Sequence, residues 1–176
     1  FLKNLALELG ITNSVMFYER CYVLIEGDTE EAALPILYRR LFGRSLIEDC
    51  IRLINVQRNS AIHEFLKLLG KNHKEIIIVL TDTDSKDCRD ANLTPNSLKR
   101  SGFDEQFIQD RLLFIGKKEF EDAFPNGAIA RALHSKWARI DQADWTHDEI
   151  EALRQQGGKF SEKLQKLVWQ NTEGCE

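Results

Sequence analysis

The 176-residue chain has a formal net charge of −4 and 43% hydrophobic residues, enough apolar content for the core of one ordinary domain with a small appendage. That balance argues against a domain gripping nucleic acid by bulk positive charge and leaves room for one whose acids are neutralised by divalent cations. No apolar run approaches the roughly 20 residues that span a bilayer, and no signal-peptide pattern opens the chain. Cys21, Cys50, Cys88 and Cys175 lack metal-ligand spacing and read as the reduced thiols of a cytoplasmic protein. A start at Phe1 rather than Met points to a piece of something longer.

Leu2 to Leu9 has helical spacing and stops at Gly10, and residues 11–20 lead into a first strand. Cys21-Tyr22-Val23-Leu24-Ile25 is apolar without alternation, which suits a strand inside a sheet rather than at its edge. It ends at Glu26 and turns on Gly27, so Glu26 stands at the carboxyl end, the side of an open α/β sheet where ligands bind. Asp28 with Glu31, or Thr29 alone, reads as a cap for the helix that follows. That helix runs from Glu30 to Phe42, with Leu34, Leu37 and Leu41 on one face, Pro35 distorting it mildly and Gly43 ending it.

Cys50 to Val56 is a second strand, and Ser60 to Leu69 a second helix closed by Gly70. Glu75 to Leu80 is a third strand, apolar and β-branched, ending in Thr81-Asp82-Thr83-Asp84-Ser85. Lys86 to Ser101 is polar and turn-rich, with a helix entry at Thr94-Pro95. A helix over Phe103–Asp110 precedes a fourth strand over Arg111–Ile115, and Gly116-Lys117-Lys118-Glu119-Phe120-Glu121-Asp122 follows. Alternating strands and helices predict βαβ units, hence an α/β fold with a mainly parallel four-stranded sheet flanked by helices. Beyond Pro125 only helices are expected: Ala128–Trp137, then Thr146–Gln156 opened by a Thr146/Glu149 capping box, then Lys159 to about Gln170 after Gly157-Gly158. His63, His73, His134 and His147 read as surface or packing residues, and Trp137, Trp145 and Trp169 as packing anchors.

Three strand ends therefore carry paired acids: Glu26 with Glu30, Asp82 with Asp84, and Glu119 with Glu121. Gathered at one sheet edge, six carboxylates repel unless cations bridge them, and hard oxygen ligands suit Mg²⁺ or Mn²⁺. The bland reading of Asp82 and Asp84 is a solvated turn, and that of Glu119, Glu121 and Asp122 is service to the positive end of a helix.

Leu24-Ile25-Glu26-Gly27-Asp28-Thr29-Glu30 and Leu80-Thr81-Asp82-Thr83-Asp84 resemble the Toprim fold of topoisomerases, primases and certain nucleases, and within it the OLD (overcoming lysogenization defect) nucleases. Lys118-Glu119-Phe120-Glu121-Asp122 is similar to the OLD pattern as well. The resemblance implies a Toprim-like Rossmannoid catalytic domain over residues 12–125 and a helical appendage over 126–176, with residues 1–11 leading from an ATPase domain. It also implies a DNA endonuclease or nickase using two Mg²⁺ or Mn²⁺ ions, with Glu26, Glu30, Asp82, Asp84, Glu119 and Glu121 as metal ligands. The catalytic set would be Glu26, Asp82 and a lysine, Lys159 with Lys163 as the alternative. No G-x-x-x-x-G-K-[ST] loop is present, so ATP belongs to a domain outside this chain. The expected partners are DNA, that ATPase domain and a second copy in a homodimer. Two other readings compete. One is a non-catalytic Toprim-like assembly or DNA-docking module. The other is a haloacid-dehalogenase-type phosphatase, disfavoured because Lys86 replaces the usual Thr or Val and the D-x-D lies on the third strand.

Overall fold

A computed structural model describes residues 19–57, 59–86 and 93–172, without the side chains of 59, 60, 69–74, 84 and 86. The predicted helix over Leu2–Leu9, Cys88, Cys175 and the His73 side chain lie outside the described residues. The chain divides into two compact units, Phe1–Phe114 and Ile115–Glu176.

The first unit contains β1 (Cys21–Ile25), α1 (Asp28–Phe42), β2 (Ile51–Asn55), α2 (Asn59–His73), β3 (Ile77–Asp82), α3 (Pro95–Arg100) and α4 (Glu105–Arg111), and most of β4 (Leu112–Ile115). The sheet order is β2-β1-β3-β4, and β1 runs parallel to both neighbours, with Ile25 opposite Asn55 on one side and Leu80 on the other. The α/β architecture is therefore the expected one, and β1 is an interior strand. Its register aligns the carboxyl ends of β1, β2 and β3, so Glu26, Asn55 and Asp82 share one edge. Tyr22, Leu24, Ile54, Ile77 and Val79 are buried with Ile62, Phe65 and Leu66 of α2. Each such apolar side chain contributes roughly 1.5–3 kcal/mol. His63 is buried too and meets the Ser101 hydroxyl at 3.0 Å, tying α2 to the end of α3.

Several local expectations change. Helix α1 begins at Asp28, two residues early, with Gly27 as its N-cap and no side-chain cap bond. Asp28 and Glu31 instead receive the Asn55 amide at 2.8 Å each. The Asn55 side chain on the neighbouring strand thus satisfies both carboxylates, and three acids, Asp28, Glu30 and Glu31, stand in the first turn at the positive end of the helix dipole. Leu41 is 75% exposed although it shares a helical face with the half-buried Leu34 and Leu37, and the buried residue of α1 is Glu30. Glu75 and Ile76 form a short helical turn, so β3 starts at Ile77 and reaches Asp82. The Thr94-Pro95 helix entry is present, with the Thr94 hydroxyl accepting from Ser97 N at 3.3 Å. Asp104 caps α4 by accepting from Phe107 N, and that helix absorbs Arg111. Neither Cys21 nor Cys50 is in a disulfide.

The second unit is a turn at Phe120–Ala123 followed by α5 (Asn126–Lys136), α6 (His147–Gln155) and α7 (Phe160–Asn171). Ala130, Leu133, Trp145, Ile150, Leu153 and Phe160 form its core. The Thr146/Glu149 capping box is closed in both directions, Thr146 N to Glu149 Oε2 at 3.0 Å and Glu149 N to Thr146 Oγ1 at 3.2 Å. Of the three tryptophans only Trp145 is a buried anchor, donating Nε1–H to the Trp137 carbonyl at 2.7 Å beneath the Arg139 guanidinium. Trp137, the residue that ends α5, is 39% exposed and Trp169 is 61% exposed. Among the described residues no helix is long and apolar enough to cross a membrane.

Candidate active site

The carboxyl edge of the first sheet is built around Glu26. It follows β1 directly, half-buried, and its Oε2 accepts two hydroxyl hydrogen bonds, from Thr81 Oγ1 at 2.7 Å and from Ser85 Oγ at 2.8 Å. Thr81 belongs to β3 and Ser85 to the helical turn Thr83–Lys86, so the two donors stand on either side of Asp82. Asp82 is the last residue of β3 and half-buried. Asp84 lies in the turn, and its side chain is outside the described part. Glu30, only 4% exposed, folds back across the β1–α1 turn. A Cβ added to Gly27 would lie 3.0 Å from its Oε2, so the absence of a side chain at 27 is what admits the carboxylate.

Glu119, Glu121 and Lys159 belong to the second unit. Gly116 starts its loop with φ +70, a conformation suited to glycine, and a Cβ there would strike the Glu119 carbonyl at 1.9 Å. Glu119 is 6% exposed and its Oε2 accepts from Ser161 N at 2.9 Å in the first turn of α7, the helix-end service that the bland reading allows. Asp122 accepts from Lys118 N at 2.9 Å and Glu119 N at 3.2 Å and is ion-paired to Arg154. Burial works to raise its pKa, yet those two amides, Arg154 and Lys117 outweigh it and hold the carboxyl below the usual range. Arg154 also donates to Asn126 Oδ1 at 2.6 Å and to the carbonyls of Glu121 and Phe124, and covers the Phe160 ring at 4.1 Å. Glu121 is half-buried in the turn, while Lys159 is exposed as the N-cap residue of α7. Lys163 is committed elsewhere, its ammonium donating to the Leu153 and Gln156 carbonyls at 2.5 and 2.6 Å. A cleft of about 590 Å³ opens in this unit among Lys118, Glu119, Asp122, Arg154 and Lys163.

Residues 17–84 match the family described as overcoming lysogenization defect protein-like, TOPRIM domain. Over these residues the chain is similar to an OLD-like Toprim domain. The matched segment spans β1 through Asp84 and so includes Glu26, Glu30 and the D-x-D pair. Among solved structures the chain is similar to the C-terminal region of the Xanthomonas campestris pv. campestris OLD protein. The two are 20% identical, with a TM-score of 0.48, over 88% of this chain and 71% of that one. No curated protein sequence matches.

Toprim domains typically bind divalent metals, and the donor set at this edge fits one. It consists of carboxylates, hard oxygen ligands, and Glu26 Oε1 takes no hydrogen bond from the described residues. Among those residues no three acidic, histidine or cysteine side chains surround a common point. A Mg²⁺ ion does not require such a cage, because it keeps several waters and commonly takes only one or two carboxylates together with substrate phosphates. Sequence reasoning missed Thr81, Ser85 and Asn55. The signal for the first two was in plain view, since hydroxyls alternate with acids through Thr81-Asp82-Thr83-Asp84-Ser85; Asn55 had none beyond its place at a strand end.

Proposed function

We propose that this nucleic-acid-processing Toprim domain is a metal-dependent endonuclease or nickase acting on DNA, the nuclease part of a larger ATP-dependent enzyme. The observation that carries the reading is Glu26 held by hydroxyls on both sides of Asp82, which brings the acid ending β1 to the segment ending β3. In this reading Glu26 and Glu30 bind one Mg²⁺ or Mn²⁺, and Asp82 and Asp84 bind a second. Two such ions supply an activated water and neutralise charge on the leaving oxygen of a phosphodiester. The chain's own residues bind and orient: Gly27 admits the Glu30 carboxylate, and Asn55 holds the start of α1 to β2 through Asp28 and Glu31.

The resemblance to OLD enzymes extends the ligand set to Glu119 and Glu121 and the catalytic set to Lys159, and we include them in the proposal. ATP would act through a separate N-terminal ATPase domain of the parent protein, and the other partners would be DNA and a second copy in a homodimer. The protein would then work in the cytoplasm, in genome defence or repair, a role resting on family analogy.

Supercoiled plasmid incubated with the 176-residue chain and Mg²⁺ or Mn²⁺ tests the reading. Nicking should appear with metal, vanish with a chelator, and vanish in both Glu26→Ala and Asp82→Ala. Nicking that persists in both variants, or phosphomonoester hydrolysis in its place, would overturn it.

A further inference from the structure

We propose that Thr81 and Ser85 are positioning residues that lock Glu26 so that it meets its metal through Oε1 alone; this rests on the metal-dependent reading of the same edge. Both hydroxyls are buried, at 0% and 1% exposure, and both donate to the same oxygen, Oε2, at 2.7 and 2.8 Å. A hydroxyl has one proton to give, and a carboxylate oxygen has two lone pairs, so the two bonds commit both protons and fill Oε2. They leave Oε1, which no described residue hydrogen-bonds, as the atom able to take a cation. A single ligating oxygen makes Glu26 monodentate and leaves the rest of the ion's shell to other ligands and water.

The two donors also have a spatial consequence. One comes from the penultimate residue of strand β3 and the other from the helical turn beyond it, so together they fix the intervening Asp82 segment relative to the end of β1. Partners that orient a metal ligand in this way commonly contribute about 10–100-fold to metal affinity.

The test uses the 176-residue chain and Mn²⁺ as the probe, with binding followed by electron paramagnetic resonance and the Glu26 rotamer read from metal-free crystal structures. The Thr81→Val/Ser85→Ala double variant should bind Mn²⁺ at least about tenfold more weakly, and Thr81→Ser, which keeps its proton, should stay within about threefold of wild type. In the metal-free double variant the Glu26 carboxylate should turn away from β3. Wild-type binding matched by the double variant, or a Glu26 rotamer unchanged by the loss of both hydroxyls, overturns this proposal alone. A wild-type chain that binds no Mn²⁺ overturns it together with the reading on which it rests.

Discussion

The Glu30 carboxylate lies over Gly27 so closely that a methyl group there would come to 3.0 Å from Oε2. Gly27 has an extended backbone, φ −137, which alanine adopts without strain, so the fold should tolerate Gly27→Ala. The buried carboxylate must then move by a few tenths of an ångström. We expect Mn²⁺ affinity to fall about tenfold while the thermal midpoint changes little, checked by metal titration beside a melt.

Removing the Asn55 amide leaves Asp28 and Glu31 facing each other at i and i+3 without their shared donor. Asn55→Ala should cost about 1 kcal/mol, because these bonds are exposed and water replaces part of them. Urea unfolding reads the loss directly.

Arg154 joins four acceptors, on Asp122, Glu121, Phe124 and Asn126, while lying over Phe160. Arg154→Ala should destabilise the second unit by roughly 3–5 kcal/mol, since Asp122 loses its cation while mostly buried. Arg154→Lys should rescue little, because an ammonium cannot reproduce the planar fork. Calorimetric melts of the two variants would show it.

Asp122 also predicts acid sensitivity. Its pKa is lowered in the folded state, where the amides of Lys118 and Glu119 and the Arg154 charge overcome the opposing effect of burial. The stability it contributes is therefore present above about pH 4 and is lost as pH falls through the lower folded value. Asp122→Asn should flatten that dependence, as measured by unfolding between neutral and strongly acidic pH.

The candidate lysine, Lys159, and its alternative, Lys163, should separate in function. Lys163 holds the Leu153 and Gln156 carbonyls at the end of α6, so Lys163→Ala should cost about 1 kcal/mol of stability. Lys159 is exposed, so Lys159→Ala should leave the melt unchanged and lower plasmid nicking by about 100-fold if it assists at the phosphate. Unaltered nicking in Lys159→Ala removes it from the catalytic set.

Much of the fold was legible because strand and helix periods are local properties. The apolar runs at Cys21–Ile25 and Ile77–Leu80, the Thr94-Pro95 entry and the Thr146/Glu149 box each depend on neighbours a few residues apart. Glu26 was legible as a site residue for the same reason, an acid directly after an interior strand. Leu41 and Trp169 were misread because helical spacing names a face without saying how far the neighbouring layer extends to cover it.

By itself the sequence determined the parallel α/β pattern and the acids at the strand ends, both consequences of short-range chemistry and a strand's polarity. Only the tertiary structure decided what touches those acids. Thr81 and Ser85 reach Glu26 from 55 and 59 residues away because β1 and β3 lie side by side, and Asn55 reaches Asp28 and Glu31 because β2 flanks β1 on the other side. A hydrogen bond depends on distances of a few ångströms in space, and strand order alone brings such distant residues together.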